Sequence, residues 1–368
     1  MIHSDTIIFG ILAAILGILF FLRQRGGVWD KVFTFVPIIL LAYLIPSLMV
    51  SFGVIDASES NLWTIAKDYF LTAALVLLTL SIDLRGILGL GPKALIMFFT
   101  ATLGIVIGGP IALWIVAQFE PSIIAGQGAD AAWRGFATLA GSWIGGGANQ
   151  TAMLEVYGYD IEQYGAMVAV DIVVANIWMA FLLYGAGMHE RIDRWLGADA
   201  SAIARLRDSM ADYSAQVEKV PSANELIVLT GFTFGAVAFA HWSAGWLSYY
   251  FTSALGAEAV LASEFFWVVV MATTIGLAAS FTKARELEGI GASKIGTVFI
   301  FLLVAVIGTK MDIFQLGDAP LFMAVGLIWM TIHSVLLLSV AKIVKAPFFF
   351  VAVGSKANVG GAASAPVV

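Results

Sequence analysis

The stretch Gly141-Ser-Trp-Ile-Gly-Gly-Gly-Ala-Asn-Gln-Thr-Ala-Met153 places glycines and neutral polar residues inside an apolar segment of membrane-spanning length. A second stretch near the end of the chain, Gly354-Ser-Lys-Ala-Asn-Val-Gly-Gly-Ala-Ala-Ser-Ala-Pro366, has the same character. Irregular backbone at bilayer depth is tolerated only where protein or a water-filled cavity surrounds it. Two such breaks, one in each half of a chain, are typical of the binding site of a secondary transporter.

Composition indicates the class of protein independently of these breaks. Of the 368 residues, 60% are hydrophobic and only 12% are charged, and the mean hydropathy is +0.94. Soluble domains carry about twice that share of charge. We therefore expect an all-α integral protein of the lipid bilayer, with about eleven spans. Apolar segments occur near 6–22, 32–52, 63–82, 94–117, 135–156, 164–187, 225–252, 265–281, 292–309, 320–341 and 346–366.

Several other classes of function are disfavoured. The chain has no cysteine, which excludes disulfides and thiolate metal sites. Its net charge is −6 and its basic residues are scattered over loops, so no nucleic-acid partner is expected. No nucleotide-binding loop or catalytic serine motif occurs, so we expect no enzyme activity and no cofactor beyond a coupling ion. His241 and His333 lie in predicted spans without metal-binding spacing and are interpreted as packing or interfacial residues.

The chain divides into a first transmembrane half, 1–188, a polar linker, 189–223, and a second transmembrane half, 224–368. Apolar residues recur in the linker at spacings of three and four, which predicts an amphipathic helix on the cytoplasmic face. These residues are Ile203, Leu206, Met210, Tyr213 and Val217.

The two halves resemble each other. Asp83-Leu-Arg85 follows the third span and Lys310-Met-Asp312 the ninth, and one further span leads to a break in each half. An extra loop over 118–134 accounts for the difference in spacing. The basic loops place the Lys310 loop outside the cell and the Arg85 loop in the cytoplasm, as an inverted repeat requires. The predicted spans, however, put six crossings between these loops, and an even number would give parallel repeats. Either one span boundary is wrong or the loop charges do not report the orientation. We keep the inverted interpretation because the charge pattern supports it within each half.

A counterpart to the span at 164–187 is missing after the second break. We expect that the sequence is truncated there and lacks one span.

The breaks provide the groups that bind ions and polar solutes. Interrupting a helix frees N–H groups, which suit an anion, and C=O groups, which suit Na⁺ or an ammonium group. Side chains near the breaks add neutral and charged partners. The candidate binding residues are Ser142, Asn149, Gln150, Thr151, Asn176, Ser355, Lys356 and Asn358, with a Na⁺ ion expected near Asn149, Thr151 and Asn358. The alternative is that the glycines and small residues of the breaks form no binding site and only let helices pack closely, as we expect for Gly104 and Gly108.

Asp171 is the most isolated acid inside any predicted span, and an intramembrane carboxylate indicates a proton or cation site. Lys356, in the second break, is its candidate partner, and could equally cap a half-helix or bind an anionic solute. Neutralisation of Asp171 by a structural partner is the alternative. Asn176 lies five residues after Asp171, about 140° around a helix, so the two do not share a narrow face.

The Gly-Gly-Gly-Ala-Asn segment at 145–149 and the Lys-Ala-Asn-Val-Gly-Gly segment at 356–361 are similar to a bacterial membrane family of unknown function within the cation:proton antiporter and bile-acid symporter superfamily. The resemblance implies two discontinuous helices that cross at mid-membrane, in a core domain that moves against a scaffold or dimerisation domain. It also implies a homodimer in a bacterial plasma (inner) membrane. Asp171 occupies the position of the superfamily's coupling aspartate, but lacks the adjacent second acid of some members. Related antiporters use a lysine or arginine to stabilise the crossing, which gives Lys356 a possible structural role.

Three functions remain open. The first is a carrier that couples Na⁺ or H⁺ to a small organic, anionic solute. The second is a monovalent cation/proton antiporter in which Asp171 binds H⁺ and the cation in turn. The third is a membrane scaffold or sensor in which both breaks are structural.

Overall fold

A computed structural model describes residues 1–82, 91–198, 221–257, 259–311 and 319–359. These residues are helical apart from loops, three short 3-10 segments and one isolated bridge between Ile2 and Ile55. The helices, in chain order, are α1 Asp5–Arg25, α2 Val28–Phe35, α3 Ile38–Ser51, α4 Leu62–Leu80, α5 Pro92–Ala117, α6 Ala132–Gly145, α7 Gly147–Tyr157, α8 Tyr164–Gly187, α9 His189–Leu196, α10 Ala223–Leu255, α11 Glu264–Ser280, α12 Ala292–Gly308, α13 Ala319–Val344 and α14 Phe348–Asn358.

The lengths and compositions of these helices are those of a multi-pass membrane protein. Within the described residues, six helices are long and apolar enough to cross a bilayer: α1, α4, α5, α8, α10 and α13. A seventh is obtained if α11 and the 3-10 segment Lys283–Ile290, which meet at a 97° bend, count as one span. The apolar helices α3 and α12 are shorter. Eleven spans and an inverted repeat therefore stay predictions.

The helix ends follow local sequence signals. Ser222 and Glu225 form a capping box at the start of α10, where the Ser222 hydroxyl accepts from the Glu225 N–H and the Glu225 carboxylate accepts from the Ser222 N–H. Glycines in the left-handed region end α7 at Gly158 and α9 at Gly197. The amphipathic helix predicted over Ile203–Val217 lies outside the described residues.

The described chain forms two compact units, and each takes helices from both halves of the sequence. The first unit comprises Met1–Ile82, Asp160–Gly165 and Val220–Gly317; the second comprises Asp83–Tyr159, Ala166–Lys219 and Asp318–Val368. Inside the first unit, α4 packs against α10, α11 and α12. Gly276 of α11 permits close approach to α4, because a Cβ there would lie 2.5 Å from the Val76 carbonyl oxygen.

In the second unit, glycines let α5 and α13 pack closely. A Cβ at Gly104 would lie 3.1 Å from His333, and one at Gly108 would lie 2.7 Å from the Trp329 ring. The Trp329 indole donates to the Ile105 carbonyl at 2.9 Å, which fixes the ring in this position. The packing role predicted for Gly104 and Gly108 is thus confirmed.

Replacement of Gly109 by alanine should destabilise the protein. The added methyl would lie 2.6 Å from the Trp329 ring, and overpacking of this kind costs about 1–3 kcal/mol of unfolding free energy. The measurement is the melting temperature in detergent. Gly17→Ala is the control, because no atom lies within 4 Å of a Cβ at this helical glycine; its melting temperature should be unchanged or higher. Equal melting temperatures for the two variants would contradict the described packing.

Within the predicted break at 141–153 the structure has two short helices instead of one bent helix. Helix α6 ends at Gly145, α7 begins at Gly147, and Gly146 between them has φ 86°, in the region that favours glycine. The chain reverses at Gly146. A Cβ at Gly141 would lie 2.8 Å from the Asn149 carbonyl oxygen, and the Arg134 guanidinium donates to the Tyr157 carbonyl.

The two helices α6 and α7 therefore run antiparallel as a helical hairpin over 132–157, with Gly146 at its tip. The rings of Trp133 and Tyr157, at its open end, are 5.9 Å apart. Close approach along the hairpin depends on Gly141 and Gly145, which face Asn149 and Met153. In the second predicted break, α14 ends at Asn358 and Val359 is extended, while residues 360–366 lie outside the described residues.

Candidate functional site

Asp171 on α8 is bonded to the first arm of the hairpin. Its Oδ2 accepts from the Ser142 hydroxyl at 2.7 Å, and its Oδ1 accepts from the Trp143 indole N–H at 2.8 Å. Ser142 and Trp143 are both buried, whereas Asp171 is half-buried. Two neutral donors thus orient the carboxylate without neutralising its charge, and leave its remaining lone pairs for an ion.

Lys356 lies in the last turn of α14, with only 5% of its surface exposed. Its ammonium group is close enough to Asp171 for mutual electrostatic attraction, but the two do not form a contact within 4 Å. Helix α14 packs against both α6 and α5. The structure thus brings together Ser142, Asp171 and Lys356, which are far apart in sequence. Removing a buried ammonium from water is costly unless a charge or a ligand compensates it.

Gln150 and Thr151 lie in the first turns of α7, next to the hairpin tip. Gln150 is 1% exposed, and its Nε2 has no hydrogen-bond partner. The Thr151 hydroxyl donates to the Gly147 carbonyl at 3.0 Å. The Asn149 amide packs directly on Gly145, where a Cβ would overlap Nδ2. Gln150 is therefore a buried side chain near the tip whose donor has no partner.

Asn358, predicted as a binding residue, is engaged by the protein. It is fully buried, its Nδ2 donates to the carbonyls of Gly354 at 2.9 Å and Phe98 at 3.2 Å, and its Oδ1 accepts from the Thr102 hydroxyl at 2.8 Å. These bonds attach the end of α14 to α5. No described contact joins Asn358 to Asn149 or Thr151, so the Na⁺ ion near these three residues stays a prediction.

Removal of the Asn358 amide should cost stability. Asn358→Ala eliminates three hydrogen bonds and leaves buried partners unsatisfied, so we expect a loss of about 2–3 kcal/mol of unfolding free energy. Thermal melting in detergent measures it, with Asn176→Ala as the matched control on an exposed helix face. An Asn358→Ala protein as stable as the control would contradict the structural role.

Ser355 belongs to a buried hydrogen-bond chain. The Trp178 indole donates to the Ser355 hydroxyl at 2.8 Å, and the same hydroxyl bonds to His333 Nε2 at 2.8 Å. His333 Nδ1 lies 3.2 Å from the Ala101 carbonyl. Every donor has an acceptor if Nδ1 carries the imidazole proton and the Ser355 hydroxyl donates to Nε2. These hydrogen bonds connect the four helices α5, α8, α13 and α14. The Ser355 hydroxyl is therefore bonded within the protein and does not line an open site.

The structure does not group Asn176 with the other candidates. It is exposed, and its Nδ2 donates to the Ile172 carbonyl of its own helix at 2.7 Å. Its place five residues after Asp171 already indicated a different face.

Sequence reasoning missed two contacts. Trp143 was not among the candidate binding residues, yet its indole bonds to Asp171; its position inside the glycine-rich break was the available signal. Asp193 of α9, in the polar linker, accepts from the Phe348 N–H at 2.7 Å and so caps the first turn of α14. No sequence pattern connects a linker aspartate to a helix 155 residues later.

The long apolar helices, the helical hairpin and a carboxylate with a lysine among the helices define a multi-pass helical membrane protein with a polar site. Residues 10–368 match the model of a protein family described as "Protein of unknown function (DUF819)". The chain belongs to this family. No curated protein and no solved structure matches it.

Proposed function

We propose that the protein is an ion-coupled secondary transporter, driven by Na⁺ or H⁺, that moves a small organic, anionic solute by alternating access. The observation that carries the proposal is the Asp171 carboxylate bonded to the hairpin arm by Ser142 and Trp143, with Lys356 in electrostatic range. Charged groups inside membrane spans are rare and mark ion and substrate pathways. The second unit carries these residues, and we assign it as the core domain that the superfamily resemblance implies.

The pair of charges suggests how coupling works. While Asp171 is ionised and empty, its field attracts the Lys356 ammonium and makes that ammonium less available to an anion. A proton or Na⁺ ion on Asp171 neutralises the carboxylate. Lys356 then carries an uncompensated charge, which an anionic solute balances. Ion and solute therefore favour each other's binding, as symport requires.

The hairpin also supports the inverted repeat. If α6 and α7 enter and leave the bilayer on the same side, the segment at 135–156 is not a crossing. Five crossings, rather than six, then separate the Asp83 and Lys310 loops. An odd number places these loops on opposite sides, in agreement with the charges in the flanking loops. A re-entrant hairpin thus removes the conflict between repeat and charge pattern.

A cation/proton antiporter is the second candidate, favoured by the half-buried Asp171 carboxylate, whose lone pairs are not all occupied. In that case H⁺ and a monovalent cation would occupy Asp171 in turn, and Lys356 would stabilise the surrounding helices. A scaffold or sensor is the third. Bacterial inner-membrane location and a homodimer follow from the superfamily resemblance and are proposed on that basis alone.

Flux in proteoliposomes separates the three. Uptake of a labelled organic anion that depends on an imposed Na⁺ or H⁺ gradient supports the carrier. Dissipation of a pH gradient by Na⁺ or K⁺ without organic solute supports the antiporter. The absence of any flux with a panel of anions and cations, from protein shown to be folded, would leave the scaffold.

A further inference from the structure

We infer that the hairpin tip binds a carboxylate group of the solute, with the backbone N–H groups of Gly147 and Ala148 and the side-chain amide of Gln150 as donors. This inference rests on the proposed function in taking the ligand to be the transported solute. It specifies the chemical group that is recognised and the residue that selects it.

The first observation is the uncapped start of α7. This helix has 11 residues, and its N-cap position is Gly146, which has no side chain to accept the first N–H groups. The Gln150 N–H bonds to the Gly146 carbonyl at 3.1 Å, so the preceding N–H groups remain for another acceptor. Free N–H groups and the positive end of the helix dipole both attract an anion.

The second, independent observation is the Gln150 side chain. It is 1% exposed, and Nε2 is buried without a partner. An unsatisfied buried donor is costly, and few occur in native proteins. An acceptor supplied by a ligand would remove that cost.

The direction of the Gln150 side chain connects the two observations. Side chains on a helix lean toward its N-terminus and cover the preceding turn. From the fourth position of α7, the Gln150 side chain therefore extends toward the turn at Gly147. A Cβ added at Gly147 would meet no atom within 4 Å, so there is open space at this position.

The groups at the tip select for a carboxylate. Backbone N–H groups and Nε2 are donors only, so they favour acceptor oxygens over an ammonium group. Helix α6, the first arm of the hairpin, packs against α14, which carries Lys356. Because Asp171 partly offsets that positive charge, a carboxylate group, which brings one negative charge to the tip, is balanced better here than a doubly charged phosphate.

Thermal stabilisation of the detergent-solubilised full chain tests the inference. The probes are acetate, succinate and citrate, compared with phosphate and methylammonium at constant ionic strength. At least one carboxylate should raise the melting temperature in a concentration-dependent manner, and phosphate and methylammonium should do so less. The inference is overturned if no carboxylate raises the melting temperature more than phosphate and methylammonium do.

Gln150→Met tests the residue, because methionine has a similar shape and no donor. We expect the ligand-free variant to melt at the same or a higher temperature, since an unsatisfied group is gone. The apparent Kd for the carboxylate should rise about 10-fold or more, the effect of one lost hydrogen bond to a charged group. Gln118→Met is the control, because Gln118 is exposed and its Nε2 donates to its own helix at Trp114. An unchanged Kd in Gln150→Met would overturn the role of Gln150.

If Gln150→Met does not fold, Gln150→Glu provides the same test. This change keeps the shape and adds a negative charge that should repel the carboxylate.

The inference and the proposed function fail in different ways. Carboxylate binding that depends on Gln150, without flux in proteoliposomes, would support the inference and contradict the transporter. Ion-coupled flux of a solute that has no carboxylate, with an unchanged Kd in Gln150→Met, would support the transporter and contradict the inference.

Discussion

Asp171→Asn is expected to abolish ion-coupled solute uptake while leaving the protein folded. Asparagine has the same shape as aspartate, and its Oδ1 can accept from the Trp143 indole as the carboxylate does. Its Nδ2 can donate to the Ser142 hydroxyl, which then acts as an acceptor. Both connections to the hairpin arm can therefore persist, and the variant removes only the charge.

Loss of that charge removes the group to which H⁺ or Na⁺ would bind. We expect gradient-driven uptake in proteoliposomes to fall by about 100-fold or more, to the level of empty liposomes, since coupling requires a group that binds the ion. The melting temperature should stay close to that of the unmodified protein. Asp130→Asn, in an exposed loop, is the control and should retain full uptake. Full ion-coupled uptake by Asp171→Asn would exclude this carboxylate as the coupling site.

A double-mutant cycle on Asp171 and Lys356 is expected to show strong coupling in stability. Lys356→Met removes the buried ammonium and leaves Asp171 without its compensating charge. Asp171→Asn in turn leaves the ammonium uncompensated. Removing both charges eliminates the imbalance, so the double variant should be more stable than the sum of the single changes predicts. Interacting residues typically show a coupling energy of about 0.5–3 kcal/mol.

Unfolding in detergent, followed for the four proteins of the cycle, measures this coupling energy. The matched control combines Asp171→Asn with Lys283→Met, an exposed lysine in the first unit. Those two changes should be additive within about 0.5 kcal/mol. Additivity in the Asp171 and Lys356 cycle would show that the two charges do not interact, and the proposed coupling mechanism would lose its basis.

The sequence was sufficient to locate the break and its acidic partner. Glycines at 145–147 indicated an interruption because only glycine adopts the φ of 86° found at Gly146 without strain. Asp171 was evident because few acids lie inside apolar segments. Both inferences depend on properties of single residues or short runs, which sequence displays directly.

The reversal of the chain at Gly146 was not predictable in the same way. A glycine-rich break allows either a bend in a continuing helix or a return of the chain. The choice depends on whether the two arms can pack, and that depends on Gly141 and Gly145 facing Asn149 and Met153. This contact exists only after reversal, so no periodicity in the sequence reports it.

The amide and hydroxyl residues show a related limit. Asn358 and Gln150 both lie within predicted breaks, and their side chains have the same functional group. Asn358 is bonded to Thr102, Phe98 and Gly354, whereas Nε2 of Gln150 lacks a partner. Which amide is free depends on neighbours contributed by other helices, and sequence position alone does not specify those neighbours.

Cross-linking across the helical hairpin tests its existence most directly. The chain contains no cysteine, so Trp133→Cys/Tyr157→Cys creates a single thiol pair, at positions whose rings lie 5.9 Å apart. The control, Leu226→Cys/Tyr250→Cys, has the same sequence separation within the continuous helix α10. At 1.5 Å per residue that separation spans about 36 Å. We expect a short bifunctional maleimide to cross-link the first pair in membranes and not the second. Failure of the first pair to cross-link, with its two cysteines labelled from opposite sides of the membrane, would show that 132–157 is one crossing helix and would contradict a hairpin site.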